Sequence, residues 1–247
     1  MSSAAAINGT WKISVASGVD QVQLTLRGML SGDRSFSSSL NLPLVTLPGL
    51  SREALTSEGT QIDFELPRDA GVLAFKGQVG QGRGDGSFAL EASVEFLGGM
   101  QSLGYENLTG ENLLTMASHD VNLAFVKELS ALGYERIPVA QLVEMRIHGV
   151  TSEFVRELQA LGYERRPLDQ LIAMHIHGAG PDFIRQFRDL GYEQIPATQL
   201  LEMRIHGVTS EFVRELQAPG YERRPLDQLI AMRVHGAGPD PIPAQRL

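Results

Sequence analysis

The second half of the chain repeats itself with a period of 29 residues. Self-similarity at a fixed period of about 20–50 residues is typical of repeat arrays, whose units bury their apolar faces against their neighbours. This constrains the fold strongly, because every unit must present the same surfaces to the next. Gly-Tyr pairs and histidines both keep the period, at Gly104, Gly133, Gly162, Gly191 and Gly220 and at His119, His148, His177, His206 and His235.

One repeat, taken from residue 151, predicts a hairpin of two short helices. Thr151 is a good N-cap, and Gly162 suits the left-handed position that follows a helix. Pro167 favours the first turn of a second helix, which Gly178 ends. Apolar residues follow helical spacing in both segments, at Phe154, Val155, Leu158 and Leu161 and at Leu168, Leu171, Ile172, Met174 and Ile176. Helices of about ten residues are marginal alone, so we expect them to stack as an α-helical hairpin-repeat solenoid.

The stretch MRIHGVTSEFVRELQA occurs twice, at 145–160 and at 203–218. The match extends over 145–174 and 203–232, which differ only at Leu161 and Pro219. A recent duplication of a two-repeat unit is the simplest explanation, so identity between the copies says little about function. Pro219 is expected to weaken the end of its helix, and the prolines at 239, 241 and 243 are expected to prevent a last helix.

The first hundred residues alternate apolar and polar side chains with period two, which indicates antiparallel strands with one side on a core. We expect six or seven strands and a short helical turn at 50–56. Turns are predicted at Ser17-Gly18, Ser31-Gly32-Asp33 and 68–71, and Arg83-Gly84-Asp85 is expected to form a hairpin turn. The alternating runs lie at 11–15, 21–26, 61–66 and 88–96.

The predicted fold class is therefore α+β. Residues 1–97 would form an antiparallel β-sandwich or curled sheet. Residues 98–247 would form the helical repeat domain, with about four and a half repeats of the 29-residue unit.

Composition excludes several classes of function. The chain has no cysteine, which removes disulfides, thiolate metal sites and cysteine nucleophiles. A net charge of −8 argues against nucleic acid as a partner, because that affinity depends on neutralising phosphates. No apolar run is long enough to span a bilayer, and the first residues lack the features of a signal peptide.

The repeats resemble a known type of bacterial helical repeat. The segments LIAMHIHGAGPDFIRQFRDLGYE and LVEMRIHGVTSEFVRELQALGYE are similar to repeats of bacterial envelope proteins, which also follow membrane metallopeptidases of the beta-lactam-sensor type. The β-rich segment from FSSSLNLPLVTLPGL to GQGRGDGSF is similar to the region that precedes such repeats. The metallopeptidase HExxH motif is absent, so the resemblance carries no catalytic residue over. It implies an extracytoplasmic sensing or interaction module, in the periplasm or secreted.

The periodic histidines are interpreted as residues that end helices rather than as metal ligands or catalytic groups. A histidine in the last turn can bond free carbonyls there, and equivalent histidines of stacked helices are too far apart to share a metal ion. We therefore predict no metal and no cofactor. The first repeat departs from the pattern with Ser118, His119 and Asp120, the weak candidates for hydrolytic catalysis. Adjacent residues rarely converge as a triad does, so Asp120 is expected either to take the left-handed role of glycine or to cap the next helix.

Two rows of basic residues keep the repeat register. The first contains Arg146, His175, Arg204 and Arg233, and the second contains Arg156, Arg185 and Arg214. They are interpreted either as a solvated face balanced by glutamates or as a ladder that binds an acidic peptide or carboxylate.

Three functions remain open at this point. The preferred interpretation is a non-enzymatic binding or sensing module that uses the repeat surface to hold a protein or peptide, an acidic one among the candidates. The alternatives are a hydrolase with its site where the β domain meets the first repeat, and a structural spacer. The oligomeric state is left open.

Overall fold

The computed structural model describes residues 7–15, 20–29, 35–217 and 223–236. It confirms the α+β class, with an antiparallel sheet followed by helices. The chain divides into two compact units, Met1–Arg146 and Ile147–Leu247. The first unit contains the sheet and also the helices up to residue 146, whereas the sequence suggested a domain boundary at residue 97.

The sheet has six strands in the part of the chain that the structure describes. The spatial order is β3-β2-β1-β6-β5-β4, and all five neighbouring pairs are antiparallel. Two three-stranded meanders are thus joined where the first strand pairs with the last. The strands are β1 (Ile7–Val15), β2 (Gln21–Met29), β3 (Ser35–Pro43), β4 (Thr60–Arg68), β5 (Gly71–Gly80) and β6 (Arg83–Ala92).

One face of the sheet holds the core of the first unit, as the alternation predicts. Trp11 pairs with Leu26, and Phe64 pairs with Phe75, which places each pair on the same face. All four side chains are at most 2% exposed. The Phe64 and Phe75 rings stack with centroids 4.5 Å apart, and the Trp11 ring meets Phe64 edge-on at 5.1 Å.

Glycines on this face make room for the only tryptophan of the chain. Gly77 and Gly86 are paired across β5 and β6, and a Cβ atom on either would lie 2.8 Å from the Trp11 ring. The Trp11 indole N–H donates to the Lys76 carbonyl at 3.2 Å. The prediction that Arg83-Gly84-Asp85 forms the turn is wrong, since the turn lies at Gln81-Gly82 and the tripeptide belongs to β6. Gly77 and Gly86 therefore allow the indole to lie directly against β5 and β6.

Eleven α-helices lie within the described residues. Helix α1 confirms the helical turn predicted at 50–56, and α3 packs against β1 and β5. The helices are α1 (Arg52–Thr56), α2 (Val94–Ser102), α3 (Gly110–Ser118), α4 (Leu123–Ala131), α5 (Val139–Ile147), α6 (Ser152–Ala160), α7 (Leu168–Ile176), α8 (Pro181–Asp189), α9 (Ala197–Ile205), α10 (Ser210–Leu216) and α11 (Leu226–Val234).

The strand predicted over 88–96 is too long at its end. β6 stops at Ala92, and Val94 and Phe96 belong to α2. Ser93 caps this helix, because its side chain accepts from the Phe96 N–H at 3.1 Å. A strong N-cap followed by an acidic first turn outweighs two further residues of alternation.

Three of the four helix ends of the repeat were predicted correctly. The Thr151 side chain accepts from the Phe154 N–H at 3.1 Å, which caps α6. Gly162 follows α6 with φ of +85°, and Gly178 follows α7 with φ of +68°. Pro167 is the N-cap of α7, one residue before the first turn where it was expected.

The tyrosines join successive repeats. Tyr163 is 6% exposed, and its hydroxyl donates to the Ile195 carbonyl at 2.6 Å. Tyr192 makes the equivalent bond to the Arg224 carbonyl at 2.8 Å. In the first unit Tyr105 donates to the Ile137 carbonyl at 2.8 Å, again 32 residues later. Tyr105, Tyr163 and Tyr192 therefore serve as packing residues just after helix ends.

Some predictions fall outside the described residues. These are the turns at 17–18 and 31–33, the effect of Pro219 and the proline-rich segment after residue 236.

Candidate functional site

His119 lies against the sheet. It is the C-cap of α3, and its Nε2 atom lies 3.4 Å from the Ser38 Oγ atom of β3. Burial removes water from the imidazole and lowers the pKa of His119. Burial thus favours the neutral form of the ring, and Nε2 lies beside a hydroxyl group.

Asp120 takes the backbone conformation that glycine takes in the other repeats. Its φ is +55°, which confirms the left-handed role predicted for it. Its carboxylate faces two arginines: Oδ2 accepts from the Arg146 Nη2 at 2.7 Å, and Oδ1 lies 3.5 Å from the Arg68 Nε. These side chains are only 25% and 16% exposed, against 43% for Asp120. The carboxylate thus compensates two partly buried cations.

Ser118, His119 and Asp120 have three different environments. Ser118 is 4% exposed, and its Oγ atom has no hydrogen-bond partner among the described residues. Since arginines hold the Asp120 carboxylate, the three do not form a hydrogen-bonded triad. The serine that does contact His119 is Ser38, which the sequence did not single out. In the sequence, Ser38 could have been recognised only by its spacing of two residues from Leu40, which places both side chains on the core side of β3.

The first basic row packs onto phenylalanines 21 residues earlier in the chain. Arg204 lies 4.9 Å from the Phe183 ring centroid, and Arg233 lies 4.1 Å from that of Phe212. Arg146 and Phe125 form the same pair in the first unit at 5.4 Å. His175, in place of arginine, meets Phe154 edge-on with ring centroids 5.0 Å apart. The first basic row therefore packs on aromatic rings of the preceding helices, and the 29-residue spacing alone did not predict these contacts.

Arg204 also caps the preceding repeat. Its Nε atom donates to the His177 carbonyl at 3.0 Å, at the C-terminal end of α7. A Cβ atom on Gly178 would lie 2.5 Å from the Arg204 Nη2. A cation at a helix C-terminus is favourable because the free carbonyls there carry partial negative charge.

The second basic row lies on the exposed surface and is paired with acids. Arg185 bonds Asp182 three residues earlier at 2.9 Å and also Glu157 at 2.6 Å. Arg214 lies 3.5 Å from Glu211. The remaining member pairs in the same way, Arg156 with Glu153. Such exposed pairs contribute little to stability, and they balance the charge of this face locally.

The C-terminal ends of the second helices expose aliphatic side chains. Ile176 was predicted to join the apolar surface of its helix, but it is 52% exposed. The equivalent residues share this exposure, and we call the four together the aliphatic edge: Ile147 at 55%, Ile176 at 52%, Ile205 at 57% and Val234 at 53%. An exposed histidine follows each one, at His148, His177, His206 and His235.

These histidines are at helix ends, as predicted. His177 and His206 are the C-caps of α7 and α9, each before a left-handed glycine. Within the described residues, no three acidic or histidine side chains come together as metal ligands would.

Comparisons with models of protein families, with curated proteins and with solved structures find no match for this chain. None of the helices in the described ranges combines the length and apolarity needed to cross a bilayer.

Proposed function

We propose that this protein is a non-enzymatic binding module whose helical hairpins stack as a solenoid and whose curled sheet precedes them. The observation that carries the proposal is the aliphatic edge. Helix α9 packs against both α7 and α11, so Ile176, Ile205 and Val234 stand at the same ends of neighbouring helices. Repetition then turns a single exposed side chain into a row.

Packing inside the fold does not require an aliphatic residue at these positions. Between α5 and α7 the nearby residues change, from Glu144 to Ala173 and from Arg146 to His175. The isoleucine does not change, although more than half of its surface faces solvent. Covering each of these side chains would gain on the order of 1 kcal/mol, so a partner that lies along several repeats gains from each.

The partner best suited to this edge is a protein or peptide segment that carries apolar and acidic side chains. The exposed Arg204 and Arg233 lie one residue before members of the aliphatic edge, and His206 and His235 lie one residue after. These groups attract carboxylates, while the isoleucines bury apolar side chains. The resemblance to envelope repeat proteins supports an extracytoplasmic setting and a sensing or interaction role for the same module.

Selection from a library of displayed random peptides tests the proposal. Wild-type protein is expected to enrich peptides with apolar and acidic residues. The double variant Ile176→Ser and Ile205→Ser should bind the selected peptides about tenfold or more weakly, because two apolar contacts are lost. A matched control is Val45→Ser with Val94→Ser, which removes two aliphatic side chains that are 89% and 85% exposed outside the edge. This control should bind as the wild type does.

Two results would count against binding at this edge. Peptides that bind both double variants equally would place the site elsewhere. Failure to enrich any peptide would instead favour the structural spacer.

A hydrolase remains a second candidate because of the contact between Ser38 and His119. A neutral imidazole beside a hydroxyl group is the arrangement that activates a serine nucleophile. Hydrolysis of chromogenic esters that falls in both Ser38→Ala and His119→Ala would support this function. Equal, background rates in the wild type and both variants would remove it.

A further inference from the structure

A cavity of about 310 Å³ lies within the second unit, where α6 and α8 end and α9 begins. Tyr163, Arg166, Arg188, Gln194 and Ala197 are among the residues that line it. Its described lining contains two guanidinium groups and no carboxylate. It lies at the opposite end of α8 from His177, so it is separate from the aliphatic edge.

Both arginines are fixed near the cavity by contacts within the fold. Arg188, in the last turn of α8, donates to the Leu161 carbonyl at the end of α6. The Arg166 guanidinium lies 6.0 Å from the centroid of the Tyr163 ring. Burial raises the pKa of the Tyr163 hydroxyl, and the positive charges of Arg188 and Arg166 oppose that rise. Both cations therefore lie close enough to act electrostatically on Tyr163, which lines the cavity.

Among the described residues, this pair of arginines occurs in one repeat. Arg188 corresponds to Ser130, Gln159 and Gln217 in the other repeats, and Arg166 corresponds to Ile137, Ile195 and Arg224. Among the described residues, only here do both positions carry a cation at the separation of 22 residues; Arg246 follows Arg224 at the same separation in the sequence but lies outside those residues. Since the same helical hairpin accommodates isoleucine and glutamine elsewhere, the fold does not demand two arginines.

The backbone beside the cavity adds to its positive potential. Helix α9 has Pro196 as its N-cap, without a side-chain cap bond, and no acidic residue in its first turn. The corresponding helices α7 and α11 carry Asp169 and Asp227 there. The positive end of α9 is thus left without a carboxylate of its own, next to the two guanidinium groups.

We propose that this cavity binds an oxyanion, the phosphate or carboxylate group of a small ligand, between Arg166 and Arg188. Guanidinium groups hold such oxygens through paired N–H donors, and partial burial strengthens the attraction. The site is independent of the aliphatic edge, so either proposal can fail without the other.

Calorimetric titration of the full chain with inorganic phosphate and with acetate tests this site. The wild type should bind at least one of the two anions saturably, with one site per chain. The substitution Arg188→Gln should weaken that binding by about tenfold or more, and Arg166→Ile should do the same. Both variants introduce the residue found at the same position of another repeat, so the hairpin should still fold, which circular dichroism verifies.

Arg214→Gln is the matched control, since it removes an exposed arginine from α10 that does not line the cavity. It should leave anion binding unchanged. A preference for phosphate identifies a phosphate-bearing ligand, and a preference for acetate identifies a carboxylate. Absence of saturable binding by either anion would overturn the proposal, as would binding that all three variants lose or retain equally.

Discussion

Replacement of Asp120 by asparagine tests the cluster that links β4, the turn after α3, and α5. Asparagine tolerates the left-handed conformation with φ of +55°, so the substitution removes the charge and leaves the backbone in place. It leaves the guanidinium groups of Arg68 and Arg146 facing each other without a counter-charge. Burial already lowers the pKa of Arg68, and the charge of Arg146 lowers it further.

The magnitude follows from how far these side chains are buried. Breaking a fully buried ion pair costs about 3–5 kcal/mol, whereas exposed pairs contribute about 0–1 kcal/mol. With exposures of 16%, 25% and 43% for Arg68, Arg146 and Asp120, the cluster lies between these limits. We expect Asp120→Asn to lower the free energy of unfolding by about 2 kcal/mol.

Asp120→Gly provides an informative contrast. Glycine occupies this position in the later repeats and relieves the left-handed strain of a side-chain residue, by on the order of 1 kcal/mol. It loses the same ion pairs, so its net cost should be about 1 kcal/mol. The expected order of stability is therefore wild type, then Asp120→Gly, then Asp120→Asn.

Urea unfolding followed by tryptophan fluorescence measures this order. Trp11 is the only tryptophan and is 1% exposed in the same compact unit as Asp120. In Asp120→Asn, the further change Arg146→Met should cost less than it does in the wild type, since it removes a cation that has lost its partner. Asp120→Asn as stable as the wild type would refute the view that this carboxylate compensates the arginines.

Three further predictions concern single contacts. Stability should fall as pH decreases below about 6.5, because the pKa of His119 is lowered in the folded state and the unfolded chain takes up the proton first. Denaturant titrations near pH 7.5 and pH 5.5 measure the difference in the free energy of unfolding between the two pH values. This difference should be smaller in His119→Gln than in the wild type, whereas the exposed-site control His206→Gln should keep the wild-type difference. Gly178→Ala should cost about 1 kcal/mol more than Gly207→Ala, since the left-handed strain is shared but only Gly178 has Arg204 within 2.5 Å of its Cβ position. Equal melting temperatures for these two variants would remove any role for the Arg204 cap. Tyr163→Phe should lose about 1–2 kcal/mol, as the Ile195 carbonyl loses a donor at 2.6 Å; unchanged unfolding by circular dichroism would contradict this.

Local signals were enough to predict much of this fold. Helix ends follow from residues close in sequence, such as Thr151 before α6 and Gly162 after it. Alternation likewise predicted four of the six strands, β1, β2, β4 and β6, because one face of the sheet is solvated, but no alternating run was assigned to β3 or β5. It failed at Val94, because Ser93 caps a helix there, and in that helix Val94 is 85% exposed while Phe96 is buried.

The candidate sites depend on contacts that sequence patterns do not encode. Ser38 and His119 are 81 residues apart, and no periodicity relates them. The register of the basic rows was visible, but a long arginine side chain can point to solvent or fold back. Arg204 folds back on Phe183 and on the end of α7. Exposure of Ile176 was missed because helical spacing assigns a residue to a face, whereas Ile176 is the last residue of α7 and is 52% exposed there.

The tyrosine bonds bear on how such a chain changes its length in evolution. Each bond is defined by a separation of 32 residues, from Tyr163 to Ile195 and from Tyr192 to Arg224. Gain or loss of a whole 29-residue unit restores an equivalent donor and acceptor at the new junction, whereas gain of one residue displaces every such pair it interrupts. Whole-unit insertions are therefore expected to preserve this bond pattern, whereas insertions of other lengths break it.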